Sequence, residues 1–343
     1  MAENKDFLSE GKLPWRLLSE LLELLPSEDA DLVMGPRIGE DAAVIRLKDG
    51  FLVAHADPIT TAATMIGWLA VHVSANDIAV RGVKPRWFIP VVMIPAKTSI
   101  ETMKKIFMDM AKALRSIGGI VIGGHTEVSP DLSHPIISMT AIGYTRGRVI
   151  FTRDAEPGDK VIVIGPIGGE GAAVIATDFE KILINRGVEP STIVNARRYI
   201  EEISVVNKAL RIKDYVNAMH DPTEGGVLQA LREIALASGN DIIADKRKFP
   251  IDDTVERIAG ALGLDPLKLL SSGALIATAP QRYLGKIESI LLDLGEKYSV
   301  VGEVVEGKGK LVLVDDEGET IIDNDIVDEI YMVWKNNLFQ QQL

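Results

Sequence analysis

NDIAVRGVKP, residues 76–85, ends a long apolar segment of the chain with a polar pair. Residues 62–79 are rich in Ala, Val, Ile and Trp, and they predict a buried helix. A lone carboxylate buried there, at Asp77, would cost roughly several kcal/mol without a partner. The sequence therefore predicts that Asp77 either lies at a helix end in solvent or is neutralised by a cation.

Two further carboxylates lie at the edges of apolar elements. Asp41 stands in GEDAA, residues 39–43, between a glycine loop and a small-residue strand. Asp57 follows a strand predicted over 51–56, and Pro58 is expected to end that strand. Each has a plain structural alternative: an acidic turn for Asp41, and a cap of the following helix for Asp57.

Convergence of Asp41, Asp57 and Asp77 would predict a divalent cation site. At 4 Å and an effective dielectric near 20, each pair of carboxylates repels by about 4 kcal/mol. Mg²⁺ would relieve this repulsion, since it prefers carboxylate oxygens and shares the phosphates of a substrate. The three acids together predict a metal-bridged triphosphate pocket.

Two glycine-containing turns carry further polar groups. Gly123-Gly124-His125-Thr126-Glu127 follows a strand predicted over 120–122, and a simple strand-to-loop turn explains it nearly as well as ligand binding. HDPTEGG, residues 220–226, opens a helix predicted over 224–238. Asp221 or Thr223 could cap that helix, or its free amides could bind an anion. Residues 165–171 lack the Gly-Lys-Ser/Thr of a Walker A loop and predict a tight strand–helix connection.

Composition limits the classes of function. The 343 residues are 47% hydrophobic and predict two domains, 1–150 and 151–343, divided in a stretch rich in charge, Gly and Pro. A net charge of −12 argues against nucleic acid and anionic membranes as partners. The absence of cysteine excludes disulfides and thiolate chemistry, and with no signal-like N-terminus or membrane-length apolar run it indicates a cytoplasmic protein.

The order of these motifs is more specific than any one of them. GEDAA, an Asp-bearing strand, NDIA-x-x-G-x-x-P and GG-x-T resemble the N-terminal domain of the aminoimidazole ribonucleotide (AIR) synthetase, or PurM, superfamily. DPTEGG at 221–226 resembles the DPT-x-GG signature of the HypE hydrogenase maturation family within it, and residues 272–275 and 301–304 are also similar. The resemblance covers roughly residues 35–305.

The resemblance implies an α+β fold, a homodimer and a nucleotide site. The first domain would be PurM-like, with strands that pair across a dimer axis into a barrel, and the second an α/β sandwich. Asp41, Asp57 and Asp77 match the family's Mg²⁺–phosphate carboxylates. The matching ATP-binding positions are Gly39, Asp41, Asn76, Gly123, Gly124, Thr126, Asp221, Thr223, Glu224 and Gly225, with His125 or Glu127 as a proton carrier.

Departures from the family leave the acceptor open. HypE proteins end in a cysteine that accepts a carbamoyl group, whereas this chain ends in residues 337–343, NLFQQQL, and has no cysteine. GGHT is similar to selenophosphate synthetase, but the N-terminal Cys (or Sec) and Lys motif of that family is absent. We expect an ATP- and Mg²⁺-dependent enzyme that activates an amide or acyl oxygen by phosphoryl transfer, with hydrogenase maturation proteins as partners. The alternatives are a thiamine-monophosphate-kinase-like or selenophosphate-synthetase-like enzyme, and a non-catalytic nucleotide-binding assembly protein.

Overall fold

Two mixed sheets and the helices that cover them make up the protein, which confirms the predicted α+β class. The structure is a computed structural model that describes residues 12–60 and 65–340, with side chains described up to residue 335. In these ranges no helix is both long enough and apolar enough to cross a membrane.

The first sheet has seven strands in the order β1-β2-β3-β7-β4-β5, with β6 also pairing with β4. Within the described residues its two ends do not pair with each other, so no barrel closes. The strands are β1 Leu32–Met34, β2 Ala43–Leu47, β3 Gly50–Ile59, β4 Pro85–Pro95, β5 Ile120–Val121, β6 His125–Ser129 and β7 Ile136–Thr145. The helices of this half are α1 Trp15–Leu22, α2 Ile66–Val80 and α3 Ile100–Ile117.

The second sheet also has seven strands, in the order β14-β13-β10-β12-β8-β11-β9. Its strands are β8 Asp159–Ile164, β9 Ala218–His220, β10 Asp241–Asp245, β11 Leu275–Pro280, β12 Tyr298–Val305, β13 Leu311–Asp315 and β14 Gly318–Ile322. Its helices are α4 Gly169–Asp178, α5 Glu180–Asn185, α6 Pro190–Arg197, α7 Val206–Ile212, α8 Gly226–Ser238, α9 Asp253–Leu262, α10 Leu284–Asp293 and α11 Ile330–Gln340. The division at residue 150 stays a prediction.

The strand predicted to stop before Asp57 continues through it. β3 pairs with β7 as far as Ile59, and Asp57 lies opposite Met139 within the ladder. Pro58 is tolerated because β2 pairs with β3 only up to Ala54, so one edge of β3 is open beyond that point. The prediction that Asp57 ends the strand is therefore wrong.

The segment 123–127 also contains strand residues that the sequence did not predict. A loop was expected there, but His125–Ser129 forms β6, which runs parallel to β4 and pairs with residues 91–95. Gly124 alone keeps a positive φ, 147°, and a Cβ at this position would lie 2.5 Å from the carbonyl oxygen of Pro90. The glycine is thus explained by close backbone approach.

Helix α2 joins the two halves of the chain. All of its residues are buried, as the apolar composition predicts, although residues 61–64 of the predicted helix lie outside the described residues. Asn76 is fully buried, and its amide donates to the Ile203 carbonyl and accepts from the Val205 N–H, each at 2.9 Å. Trp68 donates to the Ile200 carbonyl at 2.9 Å. These bonds fix α2 against the 200–205 segment of the second half.

His72 on α2 is held in its neutral form. It is 1% exposed, and its ring packs edge-on against Trp68 with centroids 4.3 Å apart. Among the described residues neither ring nitrogen has a hydrogen-bond partner. Burial lowers the pKa of His72 to about 4.

We therefore expect acid to destabilise the fold through His72. An unfolded histidine titrates near pH 6.5, so from there down to about pH 4 the unfolded chain binds a proton that the folded chain does not. This difference removes about 2 kcal/mol of unfolding free energy between pH 7 and pH 5. Urea unfolding of the wild type and of His72→Leu at both pH values measures it. Equal losses in the two proteins would contradict the assignment to His72.

Candidate functional site

The side chains of His55, Asp57 and Asp77 lie close together between β3 and α2. Asp57 and Asp77 are predicted metal ligands. His55 and Asp57 are two residues apart on β3 and so point to the same face, against which Asp77 of α2 lies. One ligand atom of each lies within 4.8 Å of the others. Asp77 Oδ2 is 3.6 Å from His55 Nε2 and has no hydrogen-bond partner among the described residues. Asp77 is 7% exposed, so the predicted alternative of a solvated helix end is wrong.

The electrostatics of this trio are those of crowded acids. Burial raises the pKa of Asp77 well above its usual value, and Asp221, Asp57 and Asp41 raise it further. Burial likewise raises the pKa of Asp57. The pKa of His55 is lowered by burial, which favours the neutral ring that can act as a ligand. If Asp57 and Asp77 are both ionised, a nearby cation is needed to offset their repulsion.

A second trio, Asp41, His220 and Asp221, brings the second half of the chain into the site. Its ligand atoms also lie within 4.8 Å of one another. Asp41 precedes β2, while His220 ends β9 and Asp221 follows it. Both oxygens of Asp221 are buried without a partner among the described residues, and burial followed by the charge of Asp41 raises its pKa to about 7. Asp41, Asp77 and Asp221 thus form one acidic group, although they come from distant parts of the sequence.

A fully buried arginine, Arg81, forms an ion pair with one member of this group, Asp41. Arg81, just after α2, forms ion pairs with Glu40 and with Asp41, the latter at 2.9 Å. Its Nη2 also donates to the Thr152 hydroxyl at 2.8 Å and to the Met219 carbonyl at 3.0 Å. The sequence predicts no role for Arg81. The signal available was its place four residues after Asp77, in the same motif.

His220 links two acids and is positively charged. Its Nδ1 bonds to Asp41 at 2.9 Å and its Nε2 to Glu233 of α8 at 2.7 Å. Burial alone would lower the pKa of His220, but the charges and hydrogen bonds of Asp41 and Glu233 raise it to about 10. His220 begins the HDPTEGG segment, but the sequence predicts no role for it. No local pattern marks Glu233, because it lies on an ordinary amphipathic helix.

Several predicted nucleotide contacts have other partners here. Asn76 binds backbone, as described above. Gly39 has φ 71°, and a Cβ there would lie 2.9 Å from the Glu233 carbonyl, so close packing explains this glycine. Gly225 is the N-cap of α8 at φ 79°, and its N–H donates to Asp328 at 3.0 Å. No side chain caps α8, so capping by Asp221 or Thr223 is wrong.

Thr223 and Glu224 face polar partners beside the acidic group. The Thr223 hydroxyl accepts a hydrogen bond from Lys12 Nζ at 3.1 Å. Glu224 accepts from the Tyr331 hydroxyl at 3.1 Å and contributes to the raised pKa of Asp57, whose largest cause is burial. The 221–224 turn therefore lies close enough to the first trio for its carboxylates to raise the pKa values of Asp57 and Asp77.

The residues predicted to carry protons lie on an exposed strand. His125 Nε2 and Glu127 Oε2 are 3.1 Å apart, with side chains 63% and 50% exposed. Thr126 is exposed between them, and Gly123 has open space where a Cβ would point. Within the described chain no hydrogen bond or ion pair connects His125 or Glu127 to the acidic group. Their catalytic role stays a prediction.

The sequence and the fold are those of a known family. Residues 39–145 match the N-terminal domain of AIR synthase related proteins, and residues 156–315 match the C-terminal domain. The chain belongs to the AIR synthase related family, which confirms the superfamily resemblance.

Within the family the chain is HypE-like. A Methanocaldococcus jannaschii protein that carries the name hydrogenase expression/formation protein is 31% identical over 93% of this chain and 94% of its own length. The carbamoyl dehydratase HypE of Escherichia coli is 25% identical over 89% and 87%. The thiamine-monophosphate kinase of Pyrococcus horikoshii is 26% identical over 83% and 88%.

Solved structures share the fold. The crystal structure of Escherichia coli HypE has a TM-score of 0.72 and 23% identity, covering 92% of this chain and 99% of that one. A HypE in complex with ATP has a TM-score of 0.68 and 20% identity, covering 93% and 98%. A HypE–HypF complex has a TM-score of 0.71 and 23% identity, covering 90% and 99%.

Proposed function

We propose that this HypE-like chain binds ATP with Mg²⁺ and transfers the γ-phosphoryl group to an amide or acyl oxygen. The observation that carries the proposal is the pair of acidic trios, one with Asp57 and Asp77 and the other with Asp41 and Asp221. Asp77 and Asp221 have buried oxygens that lack partners among the described residues. A HypE structure in complex with ATP supports a nucleotide in this fold. β6, which follows residues 123–124, pairs with β4, so β7 and β4 separate it from β3, the strand that carries Asp57.

The residues present fit a hard divalent cation. Their donors are carboxylate oxygens and one neutral imidazole, and carboxylate is the ligand type that Mg²⁺ prefers. Asp57, Asp77 and Asp221 are the best placed to bind the cation, because Oδ2 of Asp41 already forms hydrogen bonds with Arg81 and His220. When bound, Mg²⁺ supplies charge neutralisation at the phosphate oxygens.

The protein itself positions and neutralises the reacting groups. The acceptor oxygen forms a bond to the γ-phosphorus while the bond from that phosphorus to the bridging oxygen breaks, and ADP leaves with the electron pair. Arg81 and protonated His220 hold Asp41 in one orientation, so the acidic group is fixed before the substrate arrives. Phosphorylation turns the acceptor oxygen into a leaving group.

None of the 343 residues is a cysteine, so none of them can carry a carbamoylated thiol. The carbamoyl dehydratase name belongs to relatives, and the resemblance implies a terminal cysteine in them. We propose that the acceptor group is carried by another molecule. The HypE–HypF complex supports a maturation protein as the source. A kinase of the thiamine-monophosphate type is the second candidate, supported by the Pyrococcus horikoshii relative.

We further propose a homodimer formed through the open edge of the first sheet. The β5/β6 side exposes an apolar group in this chain: Ile120, Val121, Ile122 and Val128, each at least half exposed. Apolar sheet edges of this kind are usually covered by a partner. The predicted proton carriers on β6 would then lie at the interface.

Calorimetry and ADP release test this function together. We expect Mg²⁺-dependent binding of ATP, and ADP release that depends on an added carbamoyl, amide or phosphorylatable acceptor. The double variant Asp41→Asn/Asp57→Asn should lose both, while Asp293→Asn, an exposed acid at the end of α10, should retain both. Binding without turnover for any acceptor favours the assembly protein, and no binding at all rejects the proposal.

A further inference from the structure

Lys12 brings a positive charge to the acidic group from outside the two sheets. It precedes α1, and its Nζ donates to the Thr223 hydroxyl at 3.1 Å. Thr223 lies in the turn that carries Asp221 and Glu224. Lys12 therefore contacts the 221–224 turn, although it lies 211 positions from Thr223 in the sequence.

The surroundings of this ammonium are acidic on several sides. Burial of the Lys12 ammonium lowers its pKa, but Glu233, Glu224, Asp57 and Asp41 raise it by more, so the net shift is upward. The residue as a whole is exposed. The ammonium thus lies among these acids, while other parts of the residue reach solvent.

Two other cations that contact the acidic group, Arg81 and His220, already form ion pairs with buried carboxylates. Arg81 is 0% exposed and saturates Glu40 and Asp41. His220 is 4% exposed, with both ring nitrogens bonded to carboxylates. Neither can turn toward an incoming phosphate without leaving a buried acid unpaired. Lys12 differs from them, because its Nζ lies at the end of a flexible four-carbon stem and donates to a neutral hydroxyl; turning toward a phosphate therefore breaks no hydrogen bond to a carboxylate.

We propose that Lys12 binds the transferred phosphate of the nucleotide, exchanging its carboxylate neighbours for phosphate oxygens when magnesium nucleotide enters. This inference rests on the proposed function. Mg²⁺ at Asp57 and Asp77 repels the ammonium, while the triphosphate carries more negative charge than the metal neutralises. The net field therefore keeps Lys12 in the site and directs it to the phosphate.

A labelling experiment tests the contact without any turnover. Lysines of the wild-type protein are acetylated with limiting N-acetoxysuccinimide and quantified by mass spectrometry, with and without magnesium AMPPCP. We expect the nucleotide to slow labelling of Lys12 at least fivefold, while Lys105, exposed on α3, reacts unchanged. Calorimetry on the same sample establishes whether the nucleotide binds.

Variants separate the contact from a structural role. Lys12→Met is expected to lower kcat by roughly 100-fold, the usual cost of losing one donor to a transition state, with a much smaller change in nucleotide Kd. Lys12→Arg should restore part of kcat, and Lys105→Met should match the wild type. Nucleotide that binds without protecting Lys12 overturns this inference and leaves the proposed function standing. Absence of nucleotide binding overturns both.

Discussion

Asp77→Asn is expected to raise the stability of the ligand-free protein while abolishing uptake of magnesium nucleotide. The wild-type carboxylate is buried beside Asp57 and Asp221 with one oxygen unpartnered, so its ionisation is costly. Removing the charge should add about 1–2 kcal/mol to the unfolding free energy, part of the roughly 4 kcal/mol that a close pair costs. This result is expected if the site binds a cation, because the acids repel one another without it.

The same substitution removes a candidate metal ligand. Losing a group that only orients a ligand typically costs about 10–100-fold in metal affinity, so loss of Asp77 itself should cost at least roughly 100-fold. Urea unfolding and calorimetry with magnesium AMPPCP measure the two effects on one sample. Asp293→Asn controls for the loss of a surface charge. A variant that is less stable and binds as before would show that Asp77 is an ordinary structural residue.

Arg81→Met should be the most destabilising single change in the site. Glu40 and Asp41 have side chains only 2% and 12% exposed; Glu40 loses its cation, and Asp41 keeps only His220. Breaking a buried pair from one side typically costs about 3–5 kcal/mol, because the remaining charge is left unpaired. The Thr152 hydroxyl and the Met219 carbonyl also lose a donor.

Urea unfolding followed by circular dichroism measures this loss. Arg81→Met/Glu40→Gln should recover part of the stability, since the double variant no longer buries an uncompensated Glu40. Arg81→Lys should fall between, because an ammonium cannot reproduce the forked contacts of a guanidinium. Arg115→Met, exposed on α3, should change stability by less than about 0.5 kcal/mol. A similar loss in Arg115→Met would refute the special role of Arg81.

The sequence predicted the elements of the fold because hydrophobic periodicity and composition are local. The buried helix was expected at 62–79 and α2 occupies Ile66–Val80, and the amphipathic spacing after Ser99 predicts α3. Asp57 was placed wrongly because Pro58 was taken as a strand end. That error arises from sheet topology: only the open edge of β3 makes Pro58 acceptable.

The site was predictable only in part. Asp41, Asp57 and Asp77 carry a sequence signal, since each is a carboxylate at the edge of an apolar element, whereas Asp221 is marked only by its place in a turn before a helix. Lys12 and Arg81 carry none that periodicity detects. Their importance comes from contacts across 211 and 40 positions, which only the tertiary fold creates.

The bonds of Asn76 limit how substrates can enter. Asn76 ties α2 to residues 203–205, and the next residue along α2 is the candidate ligand Asp77. A hinged opening between the halves would have to break these bonds and expose a helix whose residues are all buried. If the proposed function holds, we therefore expect nucleotide and acceptor to enter while the contact between α2 and residues 203–205 stays intact.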